Sequence, residues 1–261
     1  MTNWIIQKKY NKDLKLKNPI LIEGLPGIGS VGKITVDFII DKVKPVLLYK
    51  IYSHEFPHSV YLTEENFVEL PSVSLHYFKN KKGRDILLLS GDAQPSEEKA
   101  SYEFSEKILD LADDLRCSEI VTLGGIGLVH EVKNSRLFGA VTNKNALDTF
   151  KKITKNVEFK SNQIVEVIYG ASGLLLGLAD LRGKKGMALL AETFVHPQHL
   201  GFKEARVMLE ELDQMLELKL NLDDFDKELQ EFDKLKPSKP KPTKLTKKRA
   251  KKEAKDIGYI S

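Results

Sequence analysis

Residues 1–235 alternate between apolar runs of strand length and stretches where apolar side chains recur every three or four positions. The runs Ile20–Glu23, Val46–Ile51, Val73–Phe78, Arg84–Ser90, Glu119–Leu123, Leu137–Thr142, Gln163–Tyr169 and Met187–Glu192 read as strands. Ile86–Leu89 is apolar throughout, as a strand buried on both faces requires. Between them the helical period predicts helices over Ser30–Asp41, Pro95–Leu115, Asn143–Lys155, Gly173–Leu181 and Phe202–Leu218. The first is expected to be capped by Ser30 and to bury Val31, Ile34, Phe38 and Ile39. In the fourth, Gly173, Gly177 and Ala179 leave room for close packing. Lys79-Asn80-Lys81-Lys82-Gly83 is a hairpin-like turn, and residues 1–18, anchored by Trp4, Ile5, Ile6 and Tyr10, form an edge strand or arm. From Ile51 to Leu70 the chain makes an excursion with short extended pieces such as Ser59–Leu62. This alternation predicts one three-layer α/β domain: a mixed, twisted sheet with helices on both faces.

Within that pattern Gly27-Ile28-Gly29-Ser30-Val31-Gly32 joins the first strand to the first helix. It satisfies G-x-G-x-x-G, and Glu55 lies beyond the next apolar run, as a dinucleotide site asks. With Lys33 it also approaches a P-loop, but Ile34 stands where a magnesium-binding hydroxyl is needed, and Thr35 points about 100° further round the helix. Three readings stay open: a structural turn, a nucleotide or phosphate site, and a site for another ligand. Gly124-Gly125-Ile126-Gly127 is a second glycine cluster after a strand. If both lie at one sheet edge, Gly27, Gly29, Gly32, Gly124, Gly125 and Gly127 wall a single cleft.

No catalytic constellation accompanies that cleft. His54-Glu55-Phe56-Pro57-His58 matches H-E-x-x-H, yet Pro57 breaks the helix on which both imidazoles would meet zinc. Gly170-Ala171-Ser172-Gly173 misses a nucleophile elbow because Leu174 occupies the last glycine position. Cys117 sits at a helix end beside Arg116, which would lower its pKa, but has no partner in sequence. His130-Glu131 and His196–His199 lack metal-ligand patterning, and Asp92 is a turn-forming acid. Neither catalytic residues, nor a cofactor, nor a metal is expected.

The C-terminal region changes character twice. Met215, Leu218, Leu222, Phe225, Leu229 and Phe232 keep a heptad-like spacing, interrupted near Lys219-Leu220-Asn221. This predicts a pair of helices whose apolar stripe lies near the surface and suits self-association or a partner. Domain 1–235 then gives way to a flexible basic tail, 236–261, beginning with a proline-spaced linker. Charge follows the same division. Residues 233–261 hold 11 Lys or Arg against 3 acids, whereas residues 1–232 hold 30 basic against 34 acidic groups. The tail could touch nucleic acid only through phosphates, since no aromatics interleave its lysines, and a solubilising tether is the simpler reading. A lone cysteine, no apolar run of membrane-spanning length, and no basic leader or apolar h-region at Met1-Thr2-Asn3-Trp4 lead us to expect a reducing, cytoplasmic setting.

The segments Glu23–Lys33 and Ile51–Pro57, with Thr122–Gly127, Gly173–Ala179 and Glu192-Thr193, resemble the archaeal proteasome assembly chaperone family over roughly residues 15 to 232. Relatives have also been catalogued as ATP-grasp-type carboxylate–amine ligases. The resemblance implies a phosphorylase/hydrolase-like architecture and a non-enzymatic homo-oligomer that binds proteasome α-subunits or related assemblies. Some members end in hydrophobic–Tyr–any residue and dock between α-ring subunits by that terminus. Here Tyr259-Ile260-Ser261 places the tyrosine third from the end, a degenerate form of the docking tail. The competing expectation is a nucleotide-dependent ligase or nucleoside-processing enzyme using the glycine loops; a third is a scaffold whose tail binds RNA.

Overall fold

A computed structural model describes residues 3–80, 83–159 and 166–235. Its elements in chain order are β1 (Trp4–Lys8), β2 (Ile20–Gly24), a 3₁₀ turn (Ile28–Ser30), α1 (Val31–Val43), β3 (Val46–Ser53), β4 (Tyr61–Leu62) and β5 (Val68–Glu69). There follow β6 (Val73–Phe78), β7 (Ile86–Gly91), α2 (Glu98–Asp114), β8 (Glu119–Leu128), β9 (Leu137–Val141), α3 (Lys144–Ile153) and β10 (Val157–Glu158). The last are α4 (Ala171–Leu181), β11 (Lys185–Phe194), α5 (Phe202–Leu216) and α6 (Leu222–Leu235). One compact unit runs through Phe225; a second starts at Asp226, inside α6.

Nine strands form one mixed sheet in the order β1-β3-β6-β7-β2-β8-β11-β9-β10. Its centre, β7-β2-β8-β11, is parallel, and antiparallel pairs flank it on both sides. Strands buried on both faces read as unbroken apolar runs. That is why Ile86–Leu89 and Ile20–Ile22 stand at the centre, while Trp4–Lys8, with one buried residue in five, forms an edge. Alternation along the strands splits the core in two. Leu21, Leu87, Leu89, Ile120 and Leu190 face α2 and α4, with Phe104 and Leu175. Ile20, Ile22, Leu88, Val121 and Leu189 face α1, α3 and α5, with Phe38, Phe150 and Met208. Each fully buried phenylalanine contributes about 2–3 kcal/mol relative to an exposed one.

Several sequence expectations are corrected. Asn143 caps α3 through Oδ1, which accepts from Ala146 N at 3.0 Å, but Ser30 makes no side-chain cap: its backbone is left-handed at φ 51°. In α1, Ile34 is only half-buried, while Thr35 and Val36 are buried. The strand expected over Gln163–Tyr169 is absent from 166–169, and its earlier part lies outside the described residues; the edge strand is instead Val157–Glu158. Gly177 meets open space and is not a packing glycine. The C-terminal apolar stripe is not a free surface through Phe225. Met215, Leu216 and Phe225 are buried in the core, where the Phe225 ring meets Phe38 edge-on at 4.9 Å.

Candidate functional site

A crevice of about 490 Å³ opens at the carboxyl edge of the parallel centre, between the turn after β2 and the far half of β8. Gly27, Ile28, Gly32, Leu123, Gly124, Gly125 and Gly127 line one side, and Ile168, Tyr169, Gly170 and Ser172 line the other. Gln94, on the loop after β7, fastens the two. Its Nε2 donates to Pro26 O at 2.6 Å, and its Oε1 accepts from Ala171 N at 2.9 Å, at the start of α4.

The second glycine cluster is no loop: β8 runs straight through Gly124–Gly127, in parallel register with Leu190–Thr193 of β11. Absent side chains let the first turn lie flat on that strand. A Cβ on Gly32 would stand 2.5 Å from Leu123 O, and one on Gly125 would stand 2.6 Å from Ile28 O. Gly29, at φ 62°, faces Thr193 and Gly201 and does not line the crevice. Gly27 differs from the others: it is extended, and a Cβ there would meet nothing within 4 Å.

Beneath this wall lies a group the sequence reading passed over. Glu23 is fully buried at the end of β2, on the α2/α4 face. Its Oε1 accepts from Leu25 N at 3.0 Å and from Ser172 Oγ at 3.3 Å; Oε2 has no partner of hydrogen-bond geometry, and the nearby Leu123 amide only eases the charge. Burial outweighs those bonds and pushes its carboxyl up to about 7. Thr122, in register beside Glu23 on β8 and turned to the same face, has an equally unpartnered buried hydroxyl. Nothing in the sequence signals this, since a glutamate closing an apolar strand is expected to reach water.

A second buried acid, Glu204, accepts from Thr193 Oγ1 and pairs with His199 Nε2, both at 3.1 Å. With Gly201 N donating to Gly29 O at 2.7 Å, it ties the loop after β11 to the glycine turn.

The PAC2 family matches residues 21–236. This chain belongs to it. Among solved structures, this PAC2 protein is similar to PbaB of Pyrococcus furiosus, described as an archaeal proteasome activator. The TM-score is 0.82 at 29% identity, covering 90% of this chain and 98% of that one. PbaA of Pyrococcus furiosus, described as an archaeal homolog of proteasome-assembly chaperone, shares the fold with a TM-score of 0.71 at 19% identity, over 97% and 99% of the two chains. An uncharacterised protein of Methanocaldococcus jannaschii is 26% identical over 85% of this chain and 83% of its own length. The ATP-grasp ligase reading draws no support from these likenesses.

In this PAC2 chain the nucleotide templates fail on geometry. Lys33 pairs with Asp37 at 2.8 Å, and Thr35 is buried, donating to Val31 O. β3, which leads to Glu55, is separated from β2 by β6 and β7, and Glu55 accepts from Asn3 Nδ2 at 2.6 Å. His54 and His58 stand exposed in a loop whose Phe56 is buried against Trp4, so the helix of a zinc-protease motif is not formed. Cys117 is not activated. It is buried, and desolvation pushes its thiol up to about 11 despite nearby Lys184 and Arg84. His130 and Glu131 are exposed, and His196 stacks on Phe194. Asp92 accepts from Ser72 N at 3.1 Å, closing the β6–β7 end. Among the described residues no helix is long and apolar enough to cross a membrane. Tyr259, Ile260 and Ser261 lie outside the described residues.

Proposed function

We propose that this PAC2 protein is a non-enzymatic, chaperone-like protein that binds proteasome α-subunits or related assemblies as a homo-oligomer. The observation carrying this reading is the near full-length likeness to PbaB. A surface feature agrees with it. Val60, Tyr61, Leu62, Phe67, Val68 and Leu70 are all exposed on and around the β4–β5 hairpin, Leu62 to 70% and Phe67 to 64%. Two-residue strands do not hold themselves together in water, and an apolar patch of this kind marks a protein contact. We assign it to a second copy of the chain, because it is continuous, through Ile5 and its neighbour Tyr52, with β1, the edge of the sheet among the described residues.

On this reading the architecture is phosphorylase/hydrolase-like without the chemistry, residues 1–235 act as the folded body, and 236–261 act as a basic leash. Tails presented from an oligomer gain effective concentration, so a weak terminus such as Tyr259-Ile260-Ser261 can still dock. Pull-down of recombinant α-subunit rings with the full chain and with a chain ending at 235 tests this. Capture by the full chain, weakened by truncation, is the expected result; absence of capture by either would sink the reading.

A further inference from the structure

β1 leaves one side of its backbone unused. In its antiparallel ladder with β3, His54 N donates to Asn3 O at 3.2 Å and Lys9 N donates to Leu48 O at 2.7 Å. The register between them runs unbroken from Trp4↔Ser53 to Lys8↔Tyr49. Residues of an antiparallel strand alternate between bonding their neighbour and facing away from it. Asn3, Ile5, Gln7 and Lys9 therefore bond towards β3. The N–H and C=O groups of Trp4, Ile6 and Lys8 point off the sheet, where none meets a partner among the described residues.

This edge lacks the usual protection. Short length, proline, bulges and inward charges are what keep an exposed edge from pairing. The other described edge, β10, is two residues long, and its Glu158 pairs with Arg136 at 3.9 Å. β1 has five residues, no proline and no register shift against β3, and its single charge, Lys8, stands at its end. Ile5 and Ile6 inside it are exposed to 50% and 39%.

We propose that β1 pairs antiparallel with β1 of a second copy about a twofold axis at Ile6, so that the sheet runs on through both chains. This pairing rests on the assignment of the β4–β5 patch to a second copy and names how that copy docks. Charge sets the axis. Trp4 faces the α2/α4 core, where its Nε1 donates to Glu103 Oε2 at 3.1 Å, and Ile6 and Lys8 share that face of the strand. With the axis at Ile6, the partner's Lys8 stands opposite Trp4 and arrives beside Glu103. The only cation Glu103 meets within one chain, among the described residues, is the largely exposed Lys99, 3.8 Å away. Ile6 then meets the partner's Ile6 at the centre, and the symmetry-related Lys8–Glu103 pair closes the other end. An axis at Gln7 would set the partner's Lys8 against Ile6 and leave Glu103 unmet. On the opposite face, Ile5 and Tyr52 carry the contact on to Val60 and Leu70 of the hairpin patch.

Cysteine cross-linking of the full chain reads the register directly, because the native Cys117 is buried. Under mild oxidation Ile6→Cys should give a disulfide-linked dimer by itself. Ile5→Cys mixed with Gln7→Cys should also cross-link, since the axis sets them as a non-hydrogen-bonded pair with Cα atoms about 4.5 Å apart. Ile5→Cys alone leaves its two copies on a diagonal of about 7–8 Å and should give at least fivefold less product. Ile6→Pro removes an outward N–H and spares the β3 ladder. It should weaken self-association in sedimentation at least tenfold while the melting temperature stays within a few degrees. Lys8→Glu and Glu103→Lys should each weaken it at least threefold, and the two together should restore it, which a merely damaged fold would not do. An oligomeric parent that shows none of these cross-links, and is untouched by Ile6→Pro in folded chains, would overturn the edge pairing and leave the hairpin assignment standing. Ile5→Cys cross-linking alone as strongly as in the mixture would overturn the axis at Ile6. A parent that stays monomeric would overturn both, and would leave β1 as an edge for another protein's strand.

Discussion

The glycine crevice and the β4–β5 hairpin treat apolar and polar groups in opposite ways. At the crevice, backbone is pressed on backbone, and the oxygens of Glu23 and Thr122 are sealed away from water. At the hairpin, six large apolar side chains stand in water on and beside strands of two residues each. The first region spends stability on a fixed geometry; the second contributes little to the fold of one chain. Their difference separates what the fold requires from what is left for partners. A glycine is required where another backbone occupies its Cβ position, and a leucine is available where nothing covers it.

The largest effect should come from Gly32→Ala. Its methyl would sit 2.5 Å from Leu123 O, so strand and helix must part. Backbone on both sides leaves no soft neighbour to yield, and urea unfolding should show a loss of about 3 kcal/mol. Gly27→Ala, five residues earlier, is the counterpart and should stay within about 0.5 kcal/mol of the parent. Equal losses would erase the distinction between packing glycine and crevice glycine.

Glu23 sharpens the comparison through pH. Its carboxyl lies near 4.5 in the unfolded chain and is pushed up to about 7 in the folded one. Between those values the folded protein keeps a proton that the unfolded chain releases. Stability from this group is therefore present below about pH 4.5, falls as pH rises through 7, and is level above it. The total is about 3 kcal/mol at about 1.4 kcal/mol per unit. In Glu23→Gln this slope should vanish, measured as the difference between denaturant midpoints at pH 5 and pH 8. The lowered carboxylates Asp41, Asp113 and Glu192 titrate below that window. His76, lowered chiefly by burial, acts within it with the opposite slope, since its stability is lost as pH falls through 6.5; it is common to parent and variant, so the parent-minus-variant difference isolates Glu23.

How much of this was legible in the sequence depended on which force decides each element. Continuous runs such as Ile86–Leu89 and helical stripes such as Ala205, Met208 and Leu212 located the buried strands and α5, because burial fixes them locally. The turn at Gly27–Gly32 was visible for the same reason. Gly124–Gly127 was misread as a loop because strand pairing with β11, a long-range partner, holds glycines extended there. The part of the Met215–Phe232 stripe through Phe225 looked free because its cover, Phe38 on α1, lies far away in the chain. Glu23 escaped notice because a single polar letter does not announce its burial; only the packing of α4 over β2 and β8 shows it.

The smallest effect on folding should accompany the largest on assembly. Leu62→Ser, Phe67→Ser and Leu70→Ser each remove a side chain that water already touches, so each should shift monomer stability by no more than about 0.5 kcal/mol. Combined, they should leave the circular dichroism and melting curve close to the parent's.

Native mass spectrometry of that triple variant beside the parent, each with and without proteasome α-subunits, tests the surface-acting account most directly. The account predicts a parent that is oligomeric and carries α-subunits, and a variant that is folded, monomeric and sharply reduced in their capture. A parent that stays monomeric and ignores α-subunits, or a variant that assembles and binds them as well as the parent, would contradict it.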